Sequence, residues 1–405
     1  ILINCSPHGN INLVIMPVPI GVGAFAKNFK VLVGIPLLVP EFVSGIEPGA
    51  TGDGNLFHRN QPQRYAMPVS YLYTMIAITG AAGFIGSALA TRLNEARFFD
   101  LVLVDDFSRA DKTANHAETT CTAKVDRSEF IDWIAENESQ VQFIFHLGAR
   151  TDTTEQNKAI FDELNEAYSQ QIWNACVEYG LPLVYASSAA TYGGGEHGYR
   201  DDHACVEHLQ PLNPYGLSKN NFDRWALAQA EGGNAPYFWA GLKFFNVFGP
   251  NEFHKGRMAS VVFHTFNQVK ATGAMKLFRS HRADYVDGGQ TRDFVYVKDL
   301  VDVCLFLMHH RRPSSNGLYN LGTGEARTFL DLAKATFAAM DKKPEISFID
   351  TPEDIRDTYQ YFTEADMSKL RSIGYDLPFR TLEDAILDYV KNHLVPGLHW
   401  KAPRT

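Results

Sequence analysis

From position 75 onward the chain repeats one rhythm: a short apolar run, a polar or glycine-rich turn, then a longer stretch with apolar positions three and four apart. Short runs without polar alternation suit strands buried on both faces, and the three-and-four spacing suits helices lying on them. The first unit predicts a strand over Met75–Thr79, a turn from Gly80 to Gly86 and a helix over Ser87–Glu95. Further strands are expected at Leu101–Val104, Val141–Phe145, Leu181–Ala186, Phe294–Val297 and Leu318–Leu321. Late helices are expected at Asp299–Arg311, Phe329–Met340 and Leu382–His393. Strands alternating with helices through short loops predict an α/β, doubly wound parallel sheet.

The first 74 residues lack this rhythm. They mix short apolar runs (Leu13–Ile20, Val31–Val39) with prolines and glycines, then drift into a Gly/Asn/Gln/Pro-rich stretch through Gln63. No run reaches the roughly 18–20 apolar residues that span a bilayer, so no membrane partner is expected. The basic head of a signal peptide is missing. Met75 is therefore read as the natural start, and 1–74 as an over-extended frame or dispensable leader. A cofactor domain is expected over 75–245, with segments 294–325 and 380–394 returning to it. A smaller α/β substrate-binding lobe is expected from 246–293 and 326–379, and a patternless tail over 395–405 is expected to fray.

A net charge of −9 argues against broad nucleic-acid affinity, which needs a basic surface to displace counterions. The cysteines Cys5, Cys121, Cys176, Cys205 and Cys304 form no CxxC pair. Neither a disulfide framework nor a metal site follows, so a reducing cytoplasm and small buried thiols are expected, and no metal.

The turn after the first strand reads Gly80–Ala–Ala–Gly83–Phe84–Ile85–Gly86. Glycines between a strand and a helix let the backbone turn tightly and approach a pyrophosphate, which rests on N–H groups at the helix N-terminus. The second strand ends in Asp105 and Asp106, about 20 residues on, where an acid takes the adenosine ribose hydroxyls. The fold this predicts is Rossmann-type. On these residues the choice of cofactor stays even: Asp105 repels a 2′-phosphate, whereas Arg109, Lys112 and Arg127 neutralise one. After the third strand, the small residues in the stretch Leu147–Gly148–Ala149 let the chain pass beside the cofactor. His146 is either a ligand or, more commonly at such positions, a strand-end histidine with its own hydrogen bond.

The next strand leads to Ser187–Ser188, and further on Asn213–Pro214–Tyr215–Gly–Leu–Ser–Lys219 opens a helix. Asn213 suits the cap, Pro214 the first turn, and Phe222, Trp225 and Ala226 continue an apolar face. Tyr215 and Lys219 stand one turn apart on one face. Bringing a phenol of pKa about 10 to neutrality takes about 4 kcal/mol of differential stabilisation, which an adjacent ammonium and a cationic nicotinamide ring favour. A serine hydroxyl then holds the substrate oxygen while the tyrosine exchanges its proton.

The ordered motifs from Thr79 to Asp299 resemble the extended short-chain dehydrogenase/reductase superfamily and its NAD-dependent epimerases and dehydratases. The more specific matches are Tyr185–Gly194 (YASSAATYGG), Phe245–Pro250 (FNVFGP), His254–Val261 (HKGRMASV), Arg292–Val297 (RDFVYV) and Asn320–Gly324 (NLGTG). The resemblance covers Met75 to about Leu394. It implies an isomerase that inverts C6 of an ADP-linked glyceromanno-heptose for lipopolysaccharide supply, through a transient 6-ketone. NADP is the cofactor it favours, with NAD the alternative, and it implies a homo-oligomer, with a pentamer as one form.

By the same resemblance Ser188, Tyr215 and Lys219 are the catalytic serine, tyrosine and lysine, and Lys255 is a second proton-transfer residue. Phe84, Ile85, Asp105, Asp106, Lys112, Arg127 and Asn165 fall on cofactor contacts. Asn246, Arg257, His264, Phe278, Arg292 and Tyr359 fall on substrate contacts. Arg292 suits a bidentate grip on a diphosphate or, alternatively, an ion pair with Asp293 that braces a strand. Two positions depart from the pattern: Arg257 replaces a familiar small serine, and His146–Leu–Gly–Ala–Arg150 lacks the usual acid and small residue.

The chemistry explains two proton-transfer residues. A carbinol C–H with no neighbouring carbonyl resists deprotonation, so oxidation and hydride return to the other face is the accessible route. The two epimers place their hydroxyls differently, so Tyr215 serves one and Lys255 the other. Competing readings are a UDP-hexose 4-epimerase, a nucleotide-hexose dehydratase and a non-catalytic NADP sensor. Ser187–Ala190 lacks the acidic pair a dehydratase wants, and a sensor would be expected to lose Tyr215 or Lys219.

Overall fold

The computed structural model describes residues 2–5, 11–14, 74–356 and 359–403. The chain divides into two compact units, Ile1–Ala66 and Met67–Thr405. In the first, Leu2–Cys5 and Ile11–Val14 pair antiparallel. The rest of the expected leader, with the run Val31–Val39, lies outside the described residues.

In the second unit the strands are β1 (Met75–Thr79), β2 (Leu101–Asp105), β3 (Ala123–Asp126), β4 (Val141–His146), β5 (Leu183–Ser188), β6 (Trp239–Phe244), β7 (Asn246–Phe248), β8 (Met275–Phe278), β9 (Thr291–Tyr296), β10 (Gly317–Leu321), β11 (Ala326–Thr328) and β12 (Ile346–Ile349). The longer helices are α1 (Phe84–Glu95), α2 (Phe130–Asn137), α3 (Tyr168–Glu178), α4 (Pro214–Glu231), α5 (Val261–Thr272), α6 (Val297–His309), α7 (Phe329–Ala339) and α8 (Leu382–Tyr389).

Seven strands make one parallel sheet in the order β10-β6-β5-β4-β1-β2-β3. The direction of winding reverses between β1 and β4, the position where doubly wound sheets open a ligand crevice at the carboxyl ends of their strands. The apolar runs read as strands because both faces are covered. Ile76 and Ile78 face a core shared with Leu89 and Leu93 of α1 and Leu300 and Val303 of α6. Ala77, between them, faces Phe130, Trp173 and Phe222 of α2, α3 and α4.

Two strands of this sheet were not legible as apolar runs. β3 (Ala-Lys-Val-Asp) lies at an edge with Lys124 exposed. β6 carries Lys243 in its fully buried interior. β5 begins at Leu183 rather than Leu181, since Pro182 has no N–H for the ladder, and it continues through Ser187 and Ser188. The first helix starts at Phe84 rather than Ser87, immediately after Gly83.

Of the late strands, only β10 joins the main sheet. β9 pairs parallel with β7 and antiparallel with β11 in a separate three-stranded sheet, and β8 pairs parallel with β12. α8 shares its core with Phe248, Val262 and Leu332 rather than with the main sheet. Within the described residues the tail is anchored at Trp400, and residues 404–405 lie outside them. Trp400 is buried, its N–H donates to Asn251 Oδ1 (2.8 Å) and its indole N–H to Glu95 Oε1 (2.8 Å). One aromatic anchor holds a tail that has no periodicity. Cys176 and Cys304 are buried as expected, while Cys121 and Cys205 are half-buried. No helix among the described residues is long and apolar enough to cross a membrane.

Candidate active site

The glycine turn is built for close approach. Gly80 has φ +70°, and a Cβ there would stand 2.7 Å from Gly148 Cα. At Gly86 a Cβ would stand 2.1 Å from Gly80 O, so a side chain there would push α1 off the turn. Gly83 caps α1 without a side-chain hydrogen bond, leaving the first N–H groups of the helix, at Phe84 and Ile85, to a bound anion. Asp105, at the end of β2, accepts from Ala82 N (2.9 Å), Asp106 N (2.8 Å) and Lys112 Nζ (3.1 Å). It therefore braces the turn from below. Ser108 donates to Asp106 and, with the more distant Arg127 and Lys112 cations, holds that carboxyl below its usual range. Arg109 instead pairs with Asp111. This turn, uncapped helix and acid-cation rim fit a nicotinamide dinucleotide.

His146 settles as the commoner of its two readings. It is buried between Thr79 Oγ1 (2.7 Å) and Ser169 Oγ (2.9 Å), and burial pushes it down to about 3. Leu147 N donates to Thr79 O (3.2 Å) and Gly148 N to Thr79 Oγ1 (3.1 Å), bringing the Leu147–Ala149 stretch against the glycine turn. Asn165 is fully buried in a π-helical turn. Its amide binds Arg150 N (2.8 Å), Arg150 O (3.0 Å) and Ser218 Oγ (3.0 Å), so it ties the loop after β4 to α4.

Asn213 caps α4 by accepting from Gly216 N (2.8 Å), with Pro214 in the first turn. That start places Tyr215 beside Ser188 at the end of β5, where the two hydroxyls hydrogen-bond. Burial raises the Tyr215 phenol, and the Ser188 bond pulls it back. One turn on, Lys219 donates to Ala186 O (2.8 Å), and burial pushes it down to about 8. A further turn on the same face is Asp223, with no exposed surface. It accepts from Tyr185 OH (3.0 Å), Ser187 Oγ (2.7 Å) and the buried Lys243 Nζ (2.7 Å). Sequence reading missed this pair. The available signal was an acid one turn beyond Lys219 on the face that Tyr215 starts.

Lys255 lies in the short helical segment Phe253–Met258, with Nζ 5.1 Å over the ring of Phe84. Burial lowers its pKa, and Glu252 opposes that. Glu252 is fully buried and was also missed. It accepts from Ser260 N (2.5 Å), Ser260 Oγ (2.7 Å) and Tyr389 OH (2.9 Å). Gly256, next to Lys255, has φ +55°. His264 Nε2 lies 3.2 Å from Arg257 O.

The remaining expected substrate residues form a second group. Phe278 and Tyr359 rings meet edge to face at 6.2 Å. The buried Arg292 guanidinium stacks 5.5 Å over Tyr359 and 5.6 Å over Phe329. It donates to the Thr291 and Gln360 carbonyls, not to Asp293. The alternative reading of Arg292, an ion pair with Asp293, is not what forms: Asp293 instead accepts from Thr323 and Gly324 in the turn after β10. Asn246 is exposed at the start of β7.

The NAD dependent epimerase/dehydratase family model matches residues 76–322. The chain is 46% identical over 330 residues to an ADP-L-glycero-D-manno-heptose-6-epimerase of Fusobacterium nucleatum, covering 79% of this chain and 98% of that one. It is 45% identical over 322 residues to the protein of the same name from Nitratidesulfovibrio vulgaris, again covering 79% and 98%. Its fold matches the crystal structure of Helicobacter pylori ADP-L-glycero-D-manno-heptose-6-epimerase with a TM-score of 0.65 at 25% identity, over 80% of this chain and 98% of that one. MoeE5 in complex with UDP-glucose and NAD matches with a TM-score of 0.62 at 25% identity, over 79% and 99%. With its glycine turn, its Ser188–Tyr215–Lys219 set and these relatives, the chain belongs to the NAD-dependent epimerase/dehydratase family.

Proposed function

We propose that the chain is an ADP-glyceromanno-heptose 6-epimerase that inverts C6 through a transient 6-ketone, with two proton-transfer residues on separate supports. The observation that carries this reading is the pair of protein environments: Tyr215 bonded to Ser188 one helix turn before Lys219, and Lys255 half-buried over Phe84 and under the charge of Glu252. The names of relatives at 45–46% identity support the choice of sugar.

When bound, the nicotinamide supplies the acceptor and donor of the C6 hydride. Gly80, Gly83, Phe84, Ile85 and Gly86 would hold its pyrophosphate, Asp105 and Asp106 its adenosine ribose, and Leu147, Gly148, Ala149 and Lys219 its nicotinamide half. Lys112, bonded to Asp105, and Arg127, both of whose charges reach Asp106 from further off, would favour a 2′-phosphate, hence NADP over NAD. Ser188 orients the C6 oxygen of one epimer while Tyr215 takes its proton, with the Lys219 ammonium favouring the phenolate. Lys255 handles the proton of the other epimer, whose hydroxyl points elsewhere. Arg292 between Tyr359 and Phe329, with Phe278, His264 and Asn246, would bind the nucleotide-sugar.

Purified protein offered ADP-D-glycero-D-manno-heptose, UDP-glucose and dTDP-glucose should turn over the heptose alone. Turnover only of UDP-glucose would overturn the assignment. Tyr215→Phe and Lys255→Met should each lower kcat by about 10²–10⁴-fold, the range for losing a positioned acid or base. Near-normal epimerisation in both would end the two-base reading.

A further inference from the structure

Arg150 and Arg257, the two departures from the family pattern, lie far apart in sequence, yet both meet Asp152. Arg150 Nη2 is 3.5 Å from Asp152 Oδ2, and Arg257 Nη2 is 3.5 Å from Asp152 Oδ1. Glu155 Oε2 is a further 3.5 Å partner of Arg150. Asp152 does not need the arginines to fix its direction, because its Oδ1 accepts from Thr154 N (3.0 Å) and Thr154 Oγ1 (2.6 Å) within one turn. Asn165 holds the backbone of Arg150 on both sides, so the loop behind the carboxylate is also fixed. Arg257 is the exposed member, with its side chain 68% exposed.

The two ends of this contact carry different parts of the site. Asp152 follows Leu147–Ala149, the stretch packed against the glycine turn. Arg257 shares its short helical segment with Lys255, across Gly256 with its positive φ. That segment is held from behind by Glu252 through Ser260 and from α5 by His264. Asp152 is the carboxylate that meets it from the cofactor domain.

We propose that Asp152 is a positioning residue: a fixed post on which Arg257 docks, and through which the cofactor loop sets how Lys255 stands. This rests on the reading of Lys255 as a proton-transfer residue. Arg150 is shared between Asp152 and Glu155, so two cations meet two carboxylates and Arg257 docks without stranding a charge. The same carboxylate links both arginines: without Asp152, Arg257 would lose the ion pair it makes here, and Arg150 would keep only Glu155.

The test compares Asp152→Asn, Arg257→Ser, Arg257→Lys and the Asp152→Asn/Arg257→Ser double variant, with Lys255→Met alongside. Asparagine retains the oxygen that Thr154 needs and removes only the charge, so the loop keeps its shape. Asp152→Asn and Arg257→Ser are each expected to lower kcat about two- to fivefold, the size of one exposed ion pair, with KM unchanged. The double variant should be no worse than either single, Arg257→Lys should recover most of the loss, and raised salt should slow only the natural protein and Arg257→Lys. A raised KM in Arg257→Ser with normal kinetics in Asp152→Asn would overturn the proposal, because Arg257 would then act on substrate directly. Additive losses would overturn it too. Normal Asp152→Asn and Arg257→Ser beside a crippled Lys255→Met would overturn it alone; a normal Lys255→Met would overturn the reading beneath it and the proposal together.

Discussion

Tyr215 and Lys255 each stand near a fully buried carboxylate, and the two carboxylates are satisfied in different ways. Asp223, two turns along α4 from Tyr215, is neutralised by Lys243, which is equally buried and also donates to Thr191 Oγ1 (2.8 Å). Glu252 has only neutral donors within hydrogen-bond distance, and the cation on which its charge acts is Lys255 itself. Asp223 still raises the pKa of Tyr215 and of Lys219, and its ion pair with Lys243 adds fixed geometry on the helix side. An anion held by neutral groups still acts on its neighbours, so the loop side gains control over the proton affinity of a lysine.

The largest expected effect falls on the helix side. Asp223→Asn leaves Lys243 charged and buried without its counterion, which should cost about 3–5 kcal/mol of stability. Urea unfolding of the natural and variant proteins, with and without cofactor, measures it. A loss below about 1 kcal/mol would mean that the pair is not what fixes α4 beneath Tyr215, and the comparison would lose its structural half.

How much of this contrast the sequence carried depends on how local each feature is. The glycine turn and the Asn213–Lys219 segment were legible because a turn and one helix face are encoded by neighbouring residues. Asp223 was readable in principle as the next position on the Tyr215 face. Lys243 was not, because a lysine inside an apolar run argues against a buried strand until its partner is known. Asp152 and Arg257 are 105 residues apart, a distance no periodicity spans. Trp400 likewise docks a tail through a single side chain, without a repeat to announce it. β9 had a clear strand signal but no signal for which sheet it joins, since partner choice is a tertiary property.

Glu252→Gln tests the loop side. Burial lowers the Lys255 pKa and Glu252 raises it, so removing the anion leaves burial with less opposition and the pKa falls further. His254, the neighbouring titratable group, is pushed down to about 4 by burial and stays neutral over the working range. In the direction that needs neutral Lys255, the acid limb of kcat/KM should move to lower pH. In the reverse direction, which needs the ammonium, the alkaline limb should move the same way. Stability should fall by only about 1–2 kcal/mol, because glutamine keeps one acceptor for Ser260. Limbs that stay in place would show that Glu252 braces the segment without acting on the base.

Tyr389→Phe gives the smallest effect and separates hydrogen bonding from charge. Tyr389 has no exposed surface, and its hydroxyl donates to Glu252 Oε1. Phenylalanine fills the same space, so no cavity opens and the change removes one donor. The net cost expected for one hydrogen bond is about 0.5–1.5 kcal/mol, read from the urea midpoint. Burial already raises the Glu252 pKa, and the Tyr389 hydrogen bond lowers it. Without that bond the carboxyl takes its proton at a higher pH, and its charge on Lys255 weakens without vanishing, since Ser260 still donates twice. The limbs should therefore move in the same direction as in Glu252→Gln, but less far. A shift as large as that of Glu252→Gln would mean that one hydroxyl from α8 holds the carboxylate in its charged form. Ser260 would then be incidental, and the loop side would depend on a distant helix as strictly as Tyr215 depends on Lys243. An unchanged pH profile with the expected loss of stability would leave the contrast in place and assign the tuning to Ser260.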